Sequence, residues 1–315
     1  MSDHLANRRL RDRVAIVTGG GGGIGRAEAL MMAQAGAQVV VSDIGERDGR
    51  PLATVVAEEI ERNGGRAIAV TKDLSTFEGA EATVAAAVDG FGRLDILLNN
   101  AGRRQLNAVQ DFTEEDYDLV VGSHLRASFA MIRYAAPMLV ASGSGVILNT
   151  SSEAGLGQPY NAAYAAAKEG ITGLTRSVAR ELGPQGVRCN QVRPRAQVER
   201  EADFVAMSKR YSVERSYLGK YSIGTHGNVN RASRPEDVAA VAVWLCTDAA
   251  KALNGYDLFV MGGLVGLWSE PDLERTVERD DGWTLDTLDE VLPLKLTGGL
   301  ENRFTGVSDL ILPGE

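Results

Sequence analysis

The sequence predicts a doubly wound α/β fold: a seven-stranded parallel sheet with helices on both faces, followed by a C-terminal extension. Three observations carry this prediction. Short β-rich runs alternate with stretches of helical period through the first 263 residues. Four of the seven runs are almost continuously apolar, as strands covered on both faces must be. The first run ends in a glycine cluster that opens a helix. Repeated strand, helix, strand units need right-handed crossovers, which make the strands parallel.

The elements follow in order. Residues 14–17 read as a strand leading to a helix over 24–35; 38–42 lead to 51–63, and 66–70 to 78–90. The run 94–98 precedes a long helix over 114–141, and 145–150 precedes one over 161–182. Strand 187–192 is followed by a segment, 193–234, that breaks the rhythm; helix 235–247, with Pro235 near its start, and strand 256–260 close the series. With no second series, repeat or low-complexity linker, residues 1–263 count as one domain. Residues 264–315 form an appendix packed on the core or on a neighbouring subunit, and a short amphipathic helix carrying Leu285, Leu288, Val291 and Leu292 is capped there by Thr284.

Composition narrows the function classes. The chain has 315 residues, 33 Lys plus Arg against 42 Asp plus Glu, and a net charge of -9. That acidic balance argues against nucleic-acid binding. No apolar run is long enough to span a bilayer and the N-terminus has no apolar leader, so the expected location is cytoplasmic. Cys189 and Cys246 have no metal or redox spacing, so no metal site is expected. The charge is unevenly spread: residues 264–315 hold twelve acidic and four basic side chains, leaving the core nearly neutral.

Residues 18–25 read Thr-Gly-Gly-Gly-Gly-Gly-Ile-Gly. A strand, a glycine turn and a helix start present backbone N–H groups and the positive helix end to a pyrophosphate. Asp43, 18 residues after Gly25 at the end of the second strand, suits the adenosine ribose hydroxyls and would repel a 2'-phosphate. Gly20, Gly21 and Gly22 offer no basic partner for such a phosphate, so NAD is expected over NADP. In the alternative, Asp43 caps the next turn and Arg47 or Arg50 holds a phosphate. Tyr164 and Lys168, four apart, share a helix face, which sets an ammonium near a phenol. A free phenol titrates near pH ~10, and neighbouring positive charge favours the phenolate that an acid/base catalyst needs.

These features together resemble the short-chain dehydrogenase/reductase family over most of the chain. Thr18, Gly19, Gly23 and Gly25 match its glycine pattern; Asp73-Leu74 and Asn99-Asn100-Ala101-Gly102 are similar to its elements after the third and fourth strands. The resemblance implies a Rossmann-type NAD(P)-dependent oxidoreductase acting on CH-OH groups. Tyr164 would be the general acid/base, Lys168 the partner of the nicotinamide ribose, and Ser152 the hydrogen-bond donor to the reacting oxygen, with Ser151 as the structural alternative. His124 stands where the family often has an Asn that holds a relay water. Cofactor contacts are implied for Thr18, Gly19, Gly23, Ile24, Gly25, Asp43, Asp73, Leu74, Asn100, Ala101, Gly102, Tyr164, Lys168, Pro194 and Val198. Arg195 departs from the family's Gly, and Val198 stands where a Thr often contacts the nicotinamide amide. The His-Leu-Arg-Ala-Ser-Phe stretch from His124 resembles D-3-hydroxyacyl-CoA and 17β-hydroxysteroid dehydrogenase-like members, which implies a secondary alcohol or ketone substrate.

Nine basic and four acidic residues between 193 and 234, with Arg103 and Arg104, suggest a positive rim for an anionic substrate, and Tyr211, Tyr217 and Tyr221 a wall for its apolar part. Small residues at Ala162, Ala163, Ala166 and Ala167 suit a close helix contact between subunits, so a homo-oligomer, a dimer or homotetramer, is expected. A catalytically weak dinucleotide-binding regulator with the same fold is the alternative reading.

Overall fold

The computed structural model describes residues 9–158, 160–196 and 233–300. They fall into two compact units, one up to Trp268 and one from Ser269 onward. In the first, β1 (Val14–Thr18), β2 (Gln38–Ser42), β3 (Arg66–Val70), β4 (Ile96–Asn99), β5 (Val146–Thr150), β6 (Arg188–Pro194), β7 (Asp257–Met261) and β8 (Leu264–Leu267) form one sheet of 8 strands. Its order is β3-β2-β1-β4-β5-β6-β7-β8. The seven expected strands are all present and parallel, and β8 is an addition, pairing antiparallel with β7. Gly262 adopts φ 57 in the two-residue Gly262-Gly263 turn, a conformation that glycine tolerates and tight hairpins require. The first unit therefore runs to Trp268, whose N–H reaches Asp257 O at 3.0 Å.

Side-chain alternation in the strands divides the core into two layers. Val14, Ile16, Val40, Leu97 and Ile147 face α3 (Phe77–Phe91), α5 (Ala127–Ala141) and α6 (Ala162–Leu182). Their neighbours Ala15, Val17, Val39, Val41 and Leu98 face α1 (Gly23–Gln34), α2 (Leu52–Arg62) and α7 (Pro235–Leu245). Both cysteines are free and buried in these layers, and burial pushes the Cys246 thiol up to about 12.

Local chemistry sets the helix ends. Thr76 Oγ1 accepts from Gly79 N at 3.0 Å to start α3, and Gly92, with φ 80, ends it. The long helix expected over 114–141 is interrupted: α4 (Glu114–Val121) and α5 are joined by a π-helical turn, Gly122–Arg126. The extra residue in such a turn re-aims the side chains it carries, here His124. In the second unit, Thr284 Oγ1 accepts from Thr287 N at 3.2 Å and caps α8 (Leu285–Lys295). Val198, Tyr211, Tyr217, Tyr221 and the basic residues between Arg200 and Arg231 lie outside the described residues.

Glu28 of α1 is 1% exposed, and burial raises its pKa from 4.5 to about 8. The folded protein holds a proton there that the unfolded chain releases, so this group subtracts stability as pH rises from the unfolded to the folded value. Glu28→Gln is expected to be more stable than the parent by about 3 kcal/mol at pH 7, with the difference vanishing below about pH 4. Paired denaturant titrations across pH check this; a pH-independent difference would contradict it.

Candidate active site

The strand order reverses between β1 and β4, and their C-terminal ends form the crevice where open parallel sheets bind ligands. Thr18 knits the two strands: its hydroxyl donates to Leu98 O (3.2 Å) and accepts from Asn100 N and Ala101 N (both 3.0 Å). Asn100 Nδ2 in turn donates to Thr18 O at 3.2 Å. A Cβ on Gly25 would lie 2.1 Å from Gly19 O, so glycine is obligatory there for packing. Gly22, by contrast, faces open space, and the α1 N-terminus has no side-chain cap and no acid in its first turn. That combination leaves peptide N–H groups free to meet phosphate oxygens, so the loop suits a dinucleotide's pyrophosphate.

Asp43 caps its own loop: Oδ2 accepts from Gly21 N (2.9 Å) and Oδ1 from Gly45 N (2.7 Å). Each carboxylate oxygen has a second acceptor position, so this does not exclude ribose hydroxyls. A Cβ on Gly21 would sit 2.9 Å from Asp43 Oδ2 and 2.5 Å from Leu52 Cβ, which leaves no room for a basic side chain. Arg50 is paired with Glu58 at 2.7 Å. Asp73 is exposed and accepts from Ser75 N at 2.9 Å, while Leu74 is buried. Ile24 is half-buried on α1 and Pro194 ends β6.

At the other end of the crevice, Tyr164 and Lys168 lie on α6 as their spacing predicts, with Lys168 Nζ 5.4 Å from the phenol ring. Lys168 is 2% exposed and donates to Thr150 O at 2.6 Å. Among the described residues no carboxylate pairs with it, and burial, then the Arg104 charge, lowers its pKa to about 7. The His124 ring meets Tyr164 edge-on at 5.1 Å. Its Nε2 lies 2.9 Å from Arg103 O, and since a carbonyl only accepts, Nε2 carries the hydrogen. Nδ1 is thus a bare acceptor, buried without a partner among the described residues. Burial, and then the Lys168 charge, hold the imidazole pKa well below 6.5, so the ring is neutral. The ring also explains Gly102, where a Cβ would lie 1.7 Å from His124 Cε1.

The two serines separate cleanly. Ser151 is 1% exposed and its hydroxyl donates to Lys168 O at 2.9 Å, a structural bond. Ser152 is half-buried, and among the described residues its hydroxyl only accepts, from Ala154 N at 3.2 Å, which leaves its proton available.

Two arginines assigned to the positive rim do not belong there. Arg193 is buried between Asp257 and Glu169, each at 2.6 Å, and Arg195 pairs with Glu153. Their charges are neutralised inside the unit, because each lies on or beside a strand packed against carboxylates from distant parts of the chain. Arg104 keeps its place at the site, with its guanidinium 4.8 Å from the centre of the Tyr164 ring and Nη2 donating to Gln158 Oε1 at 2.6 Å. Its position directly after the Asn99–Gly102 element is the only sequence signal that could have placed it.

A glycine loop, a carboxylate after the second strand and a Tyr-Lys pair, gathered at the C-terminal ends of the parallel strands, suit a dinucleotide-linked oxidoreductase. A family model described as enoyl-(acyl carrier protein) reductase matches residues 20–265. The chain belongs to the short-chain dehydrogenase/reductase family. It is 37% identical to a hydroxyacyl-CoA dehydrogenase of Mycobacterium tuberculosis over 94% of this chain and 90% of that one. It is equally 37% identical to an L-rhamnose 1-dehydrogenase (NAD(P)(+)) of Azotobacter vinelandii, over 81% of this chain and 97% of the other. The crystal structure of a short chain dehydrogenase from Mycobacterium avium superposes with TM-score 0.75 at 35% identity, covering 90% and 94% of the two chains. The protein is accordingly an oxidoreductase of alcohol or ketone substrates, in a family that binds nicotinamide dinucleotides. No described helix is long and apolar enough to cross a membrane.

Proposed function

We propose that this protein is an NAD-dependent dehydrogenase of a secondary alcohol borne on a 3-hydroxyacyl-CoA or hydroxysteroid-type substrate. The observation that carries the reading is the surrounding of Tyr164, with Lys168 Nζ at 5.4 Å and a neutral His124 ring at 5.1 Å. When bound, the nicotinamide accepts or supplies the hydride at C4. The protein's residues manage the accompanying proton. Ser152 donates a hydrogen bond to the substrate oxygen and Tyr164 exchanges the proton with it. Lys168 would hold the nicotinamide ribose and, while protonated, adds positive charge beside the phenol. His124 acts as acceptor at Nδ1, holding a relay water in the role an Asn fills elsewhere in the family.

NAD is favoured by Asp43, which would repel a 2'-phosphate, in a loop with no space for a basic side chain at Gly21. The acyl-CoA class is supported by the extent of similarity. The match with the hydroxyacyl-CoA dehydrogenase takes in 94% of this chain, more than residues 1–263 amount to, so it runs into the acidic appendix. The match with the rhamnose enzyme, at 81%, can be contained in the core. A cytoplasmic homotetramer completes the reading.

The test is a panel of acyl-CoAs, steroids and small cyclic ketones read by NADH absorbance. Oxidation of 3-hydroxyacyl-CoA with NAD should be fastest, and inactivity on every CoA thioester would reject that substrate class. NAD should be preferred over NADP by at least about tenfold in kcat/KM, and Asp43→Ala should erase most of the preference, a change of roughly 1.4 kcal/mol. An NADP preference in the parent would overturn the cofactor assignment.

A further inference from the structure

We propose that Arg193 is a positioning residue for Ser152, with Arg195 as its second grip. Arg193 is the next-to-last residue of β6 and 3% exposed. Its Nη1 donates to Ser152 O at 2.8 Å and to Glu169 Oε1 at 2.6 Å, its Nε to Asp257 Oδ2 at 2.6 Å, and its Nη2 to Thr172 Oγ1 at 3.0 Å. Two residues on, Arg195 Nε donates to Glu153 Oε1 at 2.6 Å. Arg195 lies one residue past β6 with its N–H still on Val260 O at 2.9 Å, and the pair grips two consecutive residues, Ser152 and Glu153.

The grip is needed where it falls. The bond from Ser151 N to Val192 O, at 2.8 Å, lies at the end of the β5–β6 ladder, and Ser152 caps the Glu153–Leu156 turn that follows. Beyond the ladder, the Ser152 carbonyl accepts from Gly155 N at 3.1 Å within the turn and from Arg193 Nη1 at 2.8 Å, and only the second bond ties it to the sheet. The same guanidinium reaches Glu169, adjacent to Lys168, and Thr172, whose hydroxyl donates to Lys168 O at 3.2 Å. It therefore ties the Ser152 backbone to the helix that carries Tyr164 and Lys168. Ser152 and Tyr164 must converge on one oxygen, and a displacement of about 1 Å in such a constellation costs on the order of 100-fold in rate. Only a planar fork of donors serves two carboxylates, a carbonyl and a hydroxyl at once; an ammonium has three donors on one atom.

This inference rests on the catalytic assignment of Ser152, and a double-mutant cycle on the full chain separates the two. Arg193→Lys should lower kcat by about 30-fold or more, with the NAD dissociation constant within about threefold of the parent. Combined with Ser152→Ala, it should add no further loss beyond that of Ser152→Ala alone. Multiplying losses would overturn the inference while leaving Ser152 in place, as would a kcat for Arg193→Lys within threefold of the parent. Full turnover in Ser152→Ala would instead remove the catalytic assignment itself, and the inference with it. Should Arg193→Lys fold poorly, Glu169→Ala removes one arm at a partly exposed partner, and the same non-additivity with Ser152→Ala is expected; additivity there counts against the inference in the same way.

Discussion

Tyr164→Phe is expected to lower turnover by roughly a thousandfold or more while changing dinucleotide affinity by no more than about threefold. The substitution deletes one hydroxyl and keeps the ring. The ring's packing partners, the Arg104 guanidinium at 4.8 Å, the Lys168 ammonium at 5.4 Å and the His124 edge at 5.1 Å, remain satisfied by its face and shape. The phenol is therefore removed from the chemistry without disturbing its surroundings. Its loss leaves no comparable group to exchange the proton: His124 is held neutral by burial and spends Nε2 on Arg103 O, and Lys168 Nζ is engaged by Thr150 O. Steady-state kinetics and a dinucleotide titration followed by tryptophan fluorescence measure the two halves. Residual turnover within tenfold of the parent would mean that another group carries the proton.

Gly25→Ala is expected to have the other large effect, on both stability and dinucleotide binding. The added methyl would lie 2.1 Å from Gly19 O and 2.5 Å from Asn100 Nδ2. Neither neighbour can yield easily. Gly19 is held at φ 66 against Ala101 Cα, and Asn100 is bonded to Thr18 on the adjoining strand. The loop and helix start must separate, at an overpacking cost of about 1–3 kcal/mol, and the N–H groups that meet the pyrophosphate lose their alignment. Binding should weaken by about 30-fold or more, together with a lower Tm. Gly22→Ala is the contrast, since a Cβ there meets nothing within 4 Å, and its Tm should match the parent. Equal Tm values for the two variants would refute the steric account.

What could be read along the chain was whatever neighbours encode. Val14 and Ile16 pack on one side of the sheet while Ala15 and Val17 pack on the other, and the continuous apolar run already implies such two-sided burial. Tyr164 and Lys168 share a face because a step of four residues is just over one helical turn. Thr284 caps its helix as its position suggests. The Gly262-Gly263 pair carried a hairpin signal as well, yet β8 lies past the point where the parallel series ends. The break between α4 and α5 left no trace in apolar period, since a π turn keeps the helical pattern on both sides.

The sequence by itself determined the parallel sheet, the glycine loop and the residue types at the site, because periodicity and turn chemistry are local. Only the tertiary structure tied the Ser151 hydroxyl to Lys168 O while that of Ser152 accepts from Ala154 N, gave His124 a neutral ring with a bare Nδ1, and moved Arg193 from a supposed outer rim to the backbone behind Ser152. Those outcomes depend on partners far off in the chain: Arg103 is 21 residues from His124, and Asp257 is 64 residues from Arg193. Charge state, burial and hydrogen-bond role belong to groups that meet only after folding. A side chain's identity lists what it can donate or accept, and the fold selects which of those it does.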